Sequence, residues 1–321
     1  MNTWKLQVST LVFLLRYGFL VSALLIFLAA SSVYSKHRYF EYILSKVRED
    51  FAIKNNGGEK HYKYSYATTK YLIEEKDLCL RRPNLQIIGY VISAIKRAEN
   101  RRVTRETWAN ATSNMAVTFV VGLPENNEEQ QLILEESREF RDILQVDLAD
   151  DYRSQSYKGL SALSWINVRC QDVPWTLRAD ENVLIDVFSL STNLRSFDVN
   201  KTDHFYCSTR RSEAVKEELS ASTEEYPTAG YPVFCAGKVW LLPTKAIPRL
   251  LRASEGISLP GVDDVYITGV LAEEANLTRF GGPDSLGSNR LKAEDTGINN
   301  VLVRIKGDLR YYWQKIVHKY K

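Results

Sequence analysis

From Leu85 onward, apolar runs of strand length alternate with stretches in which apolar residues recur at helical spacing. LQIIGYVISA (85–94) reads as a β-rich run, and MAVTFVVGL (115–123) as a second, closed by Gly122 and Pro124. Between them lies the charged stretch IKRAENRRVTRETWAN. Within 128–140, the positions of Leu132, Ile133 and Phe140 predict an amphipathic helix. DILQVDL (142–148) predicts a short strand, YKGLSALSWINVRC (157–170) a helix, and TLRADENVLIDVF (176–188) a strand that runs into an acidic turn. Alternating strands and helices predict a largely parallel sheet with helices on its faces, and ligands beyond the carboxyl ends of its strands.

The first 82 residues have a different texture. Residues 17–34 (YGFLVSALLIFLAASSVY) are uncharged, and as a helix they span about 27 Å, close to a bilayer core. This length favours an uncleaved signal anchor behind a cytoplasmic tail (1–16). A cleaved signal peptide is the main rival, because Ala29, Ala30 and Ser31 are small. Residues 35–82 are polar, rich in Lys and Tyr, and read as a stem, leaving 83–321 as the folded domain. Three sequons, at Asn110, Asn200 and Asn276, have meaning only if they face the secretory lumen. In that compartment the four cysteines, Cys79, Cys170, Cys207 and Cys235, predict one or two disulfides, with three full pairings open. None belongs to a CxxC or Cys/His cluster, which argues against zinc.

Charge and composition narrow the function by exclusion. Forty-two basic against 39 acidic residues, without a basic block, give no electrostatic case for nucleic acid. Only four histidines occur and none neighbours a nucleophile motif, so no Ser/His/Asp triad is suggested. The informative stretch is Asp180-Glu181-Asn182, three oxygen-bearing side chains at the end of a predicted buried strand. Carboxylates are hard ligands suited to Mg²⁺ or Mn²⁺, and a bound ion bridges to a diphosphate; a solvated turn is the alternative.

Six motifs in one order go further than the turn alone. RRVTRETW (101–108), EFRDILQVDLADDY (139–152), the Lys158 helix ending in WINVRC, the acidic turn, YPVFCAG (231–237) and DDVYITG (263–269) resemble the β1,3-galactosyltransferase family, glycosyltransferase family 31. The family patterns are R-x-x-I-R-x-T-W, Y-x-D-I-I-Q-x-D-F-x-D-x-Y, K-x-D-D-D-V-F-V-N, Y-P-x-Y-C-x-G and E-D-V-Y-x-G. The resemblance covers roughly residues 79–275. It implies a GT-A, Rossmann-like α/β domain on a type II membrane anchor of the Golgi or endoplasmic reticulum. It also implies Mn²⁺ or another divalent cation, a UDP-sugar donor, a glycan acceptor and transfer with inversion. Association with another chain, like or unlike, is open.

On this resemblance Asp180-Glu181-Asn182 is the family's DxD turn, with Asp180 and Asn182 as metal ligands and Asp180 and Glu181 toward the donor. Asn182 stands where the pattern has a third Asp; its amide ligates but carries no charge. Inverting displacement needs one base for the acceptor hydroxyl, and Asp264 falls on the Asp of E-D-V-Y. Capping the helix that follows is the alternative for Asp264. Arg101 and Arg105 hold either the nucleotide or the sheet end, and Asp147 and Asp150, with Asp151 and Tyr152, either uridine and ribose or a capping role. Lys158 matches a family lysine able to balance diphosphate charge, although a lysine on a helix is usually solvated. Trp240 stacks on a sugar or packs in the core. Asn182 and Lys238, the latter in place of glycine, favour a rival reading: a family fold without turnover that serves as partner or chaperone of an active transferase.

Overall fold

The computed structural model describes residues 69–150, 154–194, 202–210, 232–255, 257, 263–280, 288–289, 302–303 and 308–321. The expected tail and anchor, most of the stem, Asp151, Tyr152, Asn200, Tyr231 and the side chain of Lys238 lie outside that description. Among the described residues no helix is long and apolar enough to cross a membrane.

The central strands are β2 (Ile87–Ile92), β3 (Met115–Leu123), β4 (Ile143–Ala149) and β5 (Trp175–Asp180). β3 is buried along its whole length, as a continuous apolar run in a doubly covered sheet should be. Helix α1 (Ala98–Thr104) continues as a π-helical turn, Arg105–Ala109; α2 (Asn127–Phe140) and α3 (Gln155–Arg169) follow β3 and β4. Asn126 starts α2 by accepting a hydrogen bond from the Glu129 N–H at 2.9 Å, which satisfies an amide that the first turn leaves free.

With β1 (Tyr71–Ile73), β7 (His204–Arg210), β8 (Phe234–Pro243) and β9 (Thr278–Phe280), these strands form one sheet in the order β1-β4-β3-β2-β5-β8-β7-β9. The largely parallel sheet predicted from the sequence is parallel through β4, β3, β2 and β5; β1 and β8 run antiparallel to their inner neighbours. The stem predicted to reach residue 82 ends earlier. β1 pairs with β4, Leu78 is buried, and Cys79 is bonded to Cys170 at the end of α3. The second disulfide joins Cys207 and Cys235 on neighbouring strands.

Because side chains alternate across a strand, the sheet has two cores. Ile88, Tyr90 and Val120 face Leu160, Leu163 and Ile166 of α3, together with α5 (Ile247–Ala253) and Trp240. Ile87, Val91 and Phe119 face Trp108 and Ile133 on the opposite side. The strand just after the acidic turn, β6 (Leu184–Ile185), leaves the main sheet and pairs antiparallel with Leu302–Val303 near the C-terminus. Val187–Asn193 then forms α4. Two consecutive short helices, α6 (Asp263–Val265) and α7 (Leu271–Glu274), flank a π-helical turn and lead to β9. A terminal helix, α8 (Leu309–Lys319), closes the chain, and its Trp313 stacks on Phe188 of α4 at 5.9 Å.

Candidate active site

Four parallel strands end on one edge of the sheet, and each delivers a polar group there: Ser93 after β2, Gly122 near the end of β3, Asp150 after β4 and Asp180 at the end of β5. Gly122 is required by close approach. A Cβ there would lie 2.6 Å from the Leu148 carbonyl oxygen and 2.9 Å from Cα of Asp150, so only glycine lets β4 cross at that point.

The first cluster at this edge is satisfied internally. Asp150 accepts from the backbone N–H of Ile95 at 2.6 Å and of Gly122 at 3.1 Å, and pairs with the ammonium of Lys158. Lys158 is buried and also donates to the Ser93 carbonyl at 3.2 Å. It is therefore not the solvated lysine expected of a helix surface, because α3 carries it beneath the strand ends. Glu181 turns inward as well, accepting from Ser93 Oγ at 2.9 Å and pairing with Arg97.

A third set of charges lies beside α1. Arg101 donates to both carboxylate oxygens of Glu136, at 2.7 and 2.6 Å, and to the carbonyls of Ala94 and Ile95. Arg105 grips Asp142 through Nε and Nη2, both at 2.8 Å, and reaches Glu136 at 2.7 Å, with its plane over Phe119 and Phe140. Burial alone would raise the Glu136 carboxyl, but the two guanidiniums outweigh it and hold the group below its ordinary range. Of the two roles open to Arg101 and Arg105, the geometry gives the structural one: their forks clamp α1 to α2 and to the start of β4.

The remaining cluster is open to solvent on one side. Arg178, buried on β5, places Nη1 2.8 Å from Asp180 and 3.5 Å from Asp264, and Nη2 2.9 Å from Asp263. Asp263 is enclosed, whereas the side chains of Asp180 and Asp264 are 28% and 20% exposed. Burial pushes the Asp263 carboxyl up, with Arg178 opposing. Burial would lower the Arg178 guanidinium, but its three carboxylates more than compensate and hold it well above the ordinary value. The Tyr90 hydroxyl, fully buried and without a hydrogen-bond partner among the described residues, borders this group and is pushed well up by burial and then by Asp263. Asp264 is the second residue of α6, one position inside the helix start, and thus not the residue before it that a cap would occupy.

Asp180, Glu181 and Asn182 do form a turn, but they diverge: Asp180 is partly exposed, Glu181 is spent on Arg97 and Ser93, and Asn182 is exposed. Among the described residues no group of three or more His, Cys, Asp or Glu is placed to hold a metal ion. One carboxylate and one amide fit a hard divalent ion that takes the rest of its shell from phosphate oxygens and water. They do not make a closed protein site. Asp147 lies on the β1 side of β4, where its N–H donates to the Lys70 carbonyl. Trp240 is buried edge-on to Tyr90 and Phe205, so the core reading holds. Asn110 and Asn276 are exposed at element ends. Sequence reasoning did not single out Arg178 or Tyr90; for Arg178 the available signals were a basic residue two places before Asp180 in a buried strand and the Lys at that position of the K-x-D-D-D pattern.

Residues 99–280, more than half of the chain, match the family model described as Galactosyltransferase. The chain belongs to the galactosyltransferase family. All the charged residues of the open cluster fall inside the matched span. Beta-1,3-galactosyltransferase 2 of Homo sapiens is 26% identical over 215 residues, 64% of this chain and 51% of that protein. Lactosylceramide 1,3-N-acetyl-beta-D-glucosaminyltransferase A of Xenopus laevis is 24% identical over 227 residues, 66% of this chain and 60% of that protein. The chain thus spans little more than half the length of these family members. Among solved structures, mouse xyloside xylosyltransferase 1 matches at 12% identity and a TM-score of 0.30, covering 60% of this chain and 83% of that one.

Proposed function

We propose that this galactosyltransferase-family chain is a UDP-sugar-dependent transferase of GT-A type that adds galactose or an N-acetylhexosamine in β1,3 linkage, with inversion, to a glycan. The observation that carries the reading is the placement of two partly exposed carboxylates, Asp180 and Asp264, around one guanidinium nitrogen at the strand ends. Asp264 takes the proton of the acceptor hydroxyl as that oxygen attacks the anomeric carbon from the face opposite the diphosphate. The bond from that carbon to the diphosphate oxygen breaks, and its electron pair leaves with UDP. Asp180 and Asn182 would hold Mn²⁺, which when bound neutralises charge on the departing diphosphate. The donor-binding roles expected for Arg101, Arg105, Asp147, Lys158 and Glu181 become supporting ones in this reading, fixing the strand ends and the turn. The reading includes an uncleaved anchor at 17–34, a Golgi lumenal domain, and N-glycans at Asn110, Asn200 and Asn276.

A second reading, a binding partner without turnover, is favoured by one observation: with Asn182 uncharged and Glu181 turned inward, Asp180 is the turn's sole outward carboxylate. Calorimetry of UDP binding with and without Mn²⁺ separates the two. The transferase reading requires metal-dependent binding that Asp180→Ala abolishes, and sugar transfer that Asp264→Asn reduces by at least about 10²-fold. UDP binding in neither condition would leave the partner reading.

A further inference from the structure

We propose that Leu302–Val303 and α8, with the Tyr320 that follows it, form a strap that orders the acidic turn from its far side, Trp313 and Tyr320 being its positioning residues. The inference rests on the transferase reading. It adds to that reading residues that lie beyond the matched span of 99–280 and act through the elements they hold.

Three observations carry it. The first is where the strap makes its contacts. Asn182 lies between Glu181, drawn inward by Ser93 and Arg97, and Val183, whose carbonyl accepts from Trp108 Nε1 at 2.9 Å. The residues that follow are met by the strap in turn. Leu184 and Ile185 pair with Val303 and Leu302, and Asp186 accepts from the Tyr320 hydroxyl at 2.8 Å. Phe188 then lies against Trp313 and Tyr320, with ring centroids 5.9 and 4.8 Å away. A single buried carboxylate joining strap to helix is the second observation. Asp186 accepts the Ser189 N–H through Oδ1 at 2.9 Å, which starts α4, and the Tyr320 hydroxyl through Oδ2, with the Lys319 ammonium at 4.0 Å. An enclosed carboxylate depends on its partners, so loss of the Tyr320 oxygen loosens the start of α4. The third is the build of α8, in which no residue is buried. Its other end is tied to α1 and to the π-helical turn by Arg310, 3.0 Å from Glu99 and 2.5 Å from Glu106, and such exposed ion pairs contribute little. An outer helix of this kind opens at lower free energy than the sheet beneath it.

The physical consequence is that docking of the strap and order in the turn are linked. A ligand that needs the ordered turn favours the docked strap, and by reciprocity a loosened strap weakens that ligand by the same factor. Apparent affinity falls in proportion to the fraction of molecules in which the turn is ordered.

The test uses the full chain as wild type, Tyr320→Phe, Trp313→Ala and Tyr311→Ala, measuring amide hydrogen exchange, thermal midpoint, and UDP affinity with Mn²⁺. Tyr311 is the control, an exposed residue whose ring meets Tyr312 and Lys315 of α8 itself. Tyr320→Phe and Trp313→Ala should each speed exchange over residues 183–190 and weaken UDP by about fivefold or more, with a midpoint within about 4 °C of wild type. Tyr311→Ala should match wild type in both. In wild type, saturating UDP with Mn²⁺ should slow exchange of α8 by about fivefold, which a helix that merely supports the fold would not show. If Trp313→Ala does not fold, Tyr320→Phe carries the test alone. Unchanged exchange over 183–190 overturns the inference whether or not UDP binds. Wild-type UDP affinity in a variant whose exchange is raised, or α8 exchange indifferent to UDP, overturns it and leaves the transferase reading standing. So does a binding loss that only follows the globally unfolded fraction. Wild type that binds no UDP removes the transferase reading and this inference with it.

Discussion

Gly122→Ala tests how the strand ends are held. The new Cβ would meet the Leu148 carbonyl oxygen at 2.6 Å and Cα and N of Asp150 at 2.9 Å. All three are backbone atoms, and Asp150 is pinned by Ile95, Gly122 and Lys158, so no side chain can swing away. Bringing such contacts to ordinary separations of about 3.5 Å requires strand movement of roughly 0.6–0.9 Å. Overpacking of this kind costs about 1–3 kcal/mol, and the loss of chain freedom in the unfolded state returns about 0.4–1 kcal/mol. The two ranges leave a net cost of about 0–2.6 kcal/mol, and its centre, about 1.3 kcal/mol, lowers the melting midpoint by roughly 3–5 °C for a domain of this size. Gly89→Ala is the control, because its Cβ would meet a side-chain methyl of Val117 at 3.1 Å, and that methyl can yield. Thermal melts of both variants, followed by circular dichroism, decide the matter. A Gly122→Ala midpoint within about 1 °C of wild type, or a larger drop in Gly89→Ala, would refute the reasoning.

Asp142→Ala should destabilise by about 3–5 kcal/mol in urea unfolding, because it strands one edge of the buried Arg105 fork; a loss under about 1 kcal/mol would mean that Glu136 alone suffices. Serine replacement of Cys79 and Cys170 should cost about 1 kcal/mol more than replacement of Cys207 and Cys235, since the separations are 91 and 28 residues. Melts with and without reductant check the order. The Tyr320 hydroxyl, donating to Asp186 at 2.8 Å, is pushed up to about 12 by burial and by that carboxylate. Its folded value lies above its unfolded one, so its contribution is complete below about pH 10 and is lost as pH rises through about 12. Hydrogen exchange of α8 should accelerate across that window, and Tyr320→Phe should flatten the pH dependence.

Much of the fold was legible because its signals are local. The apolar run 115–123 is β3 residue for residue, and the predicted helices over 128–140 and 157–170 lie within one to two residues of α2 and α3. The acidic turn was legible for the same reason: a strand pattern ends where three polar residues begin. The stem boundary was misplaced because β1 is three residues long and gains its stability from β4, some seventy residues later. Short strands carry too little periodicity to announce themselves.

The sequence by itself determined the element types, the family's motif order and the chemistry available at the turn, since these depend on residue identity and near-neighbour spacing. Strand order decided which charge meets which. It put Arg178 of β5 under the start of α6, drew Lys158 beneath Asp150, turned Glu181 toward Arg97, and chose one cysteine pairing from three. Motif spacing states that Asp180 and Asp264 are both present; their meeting around one guanidinium follows from long-range packing, which a linear pattern does not encode.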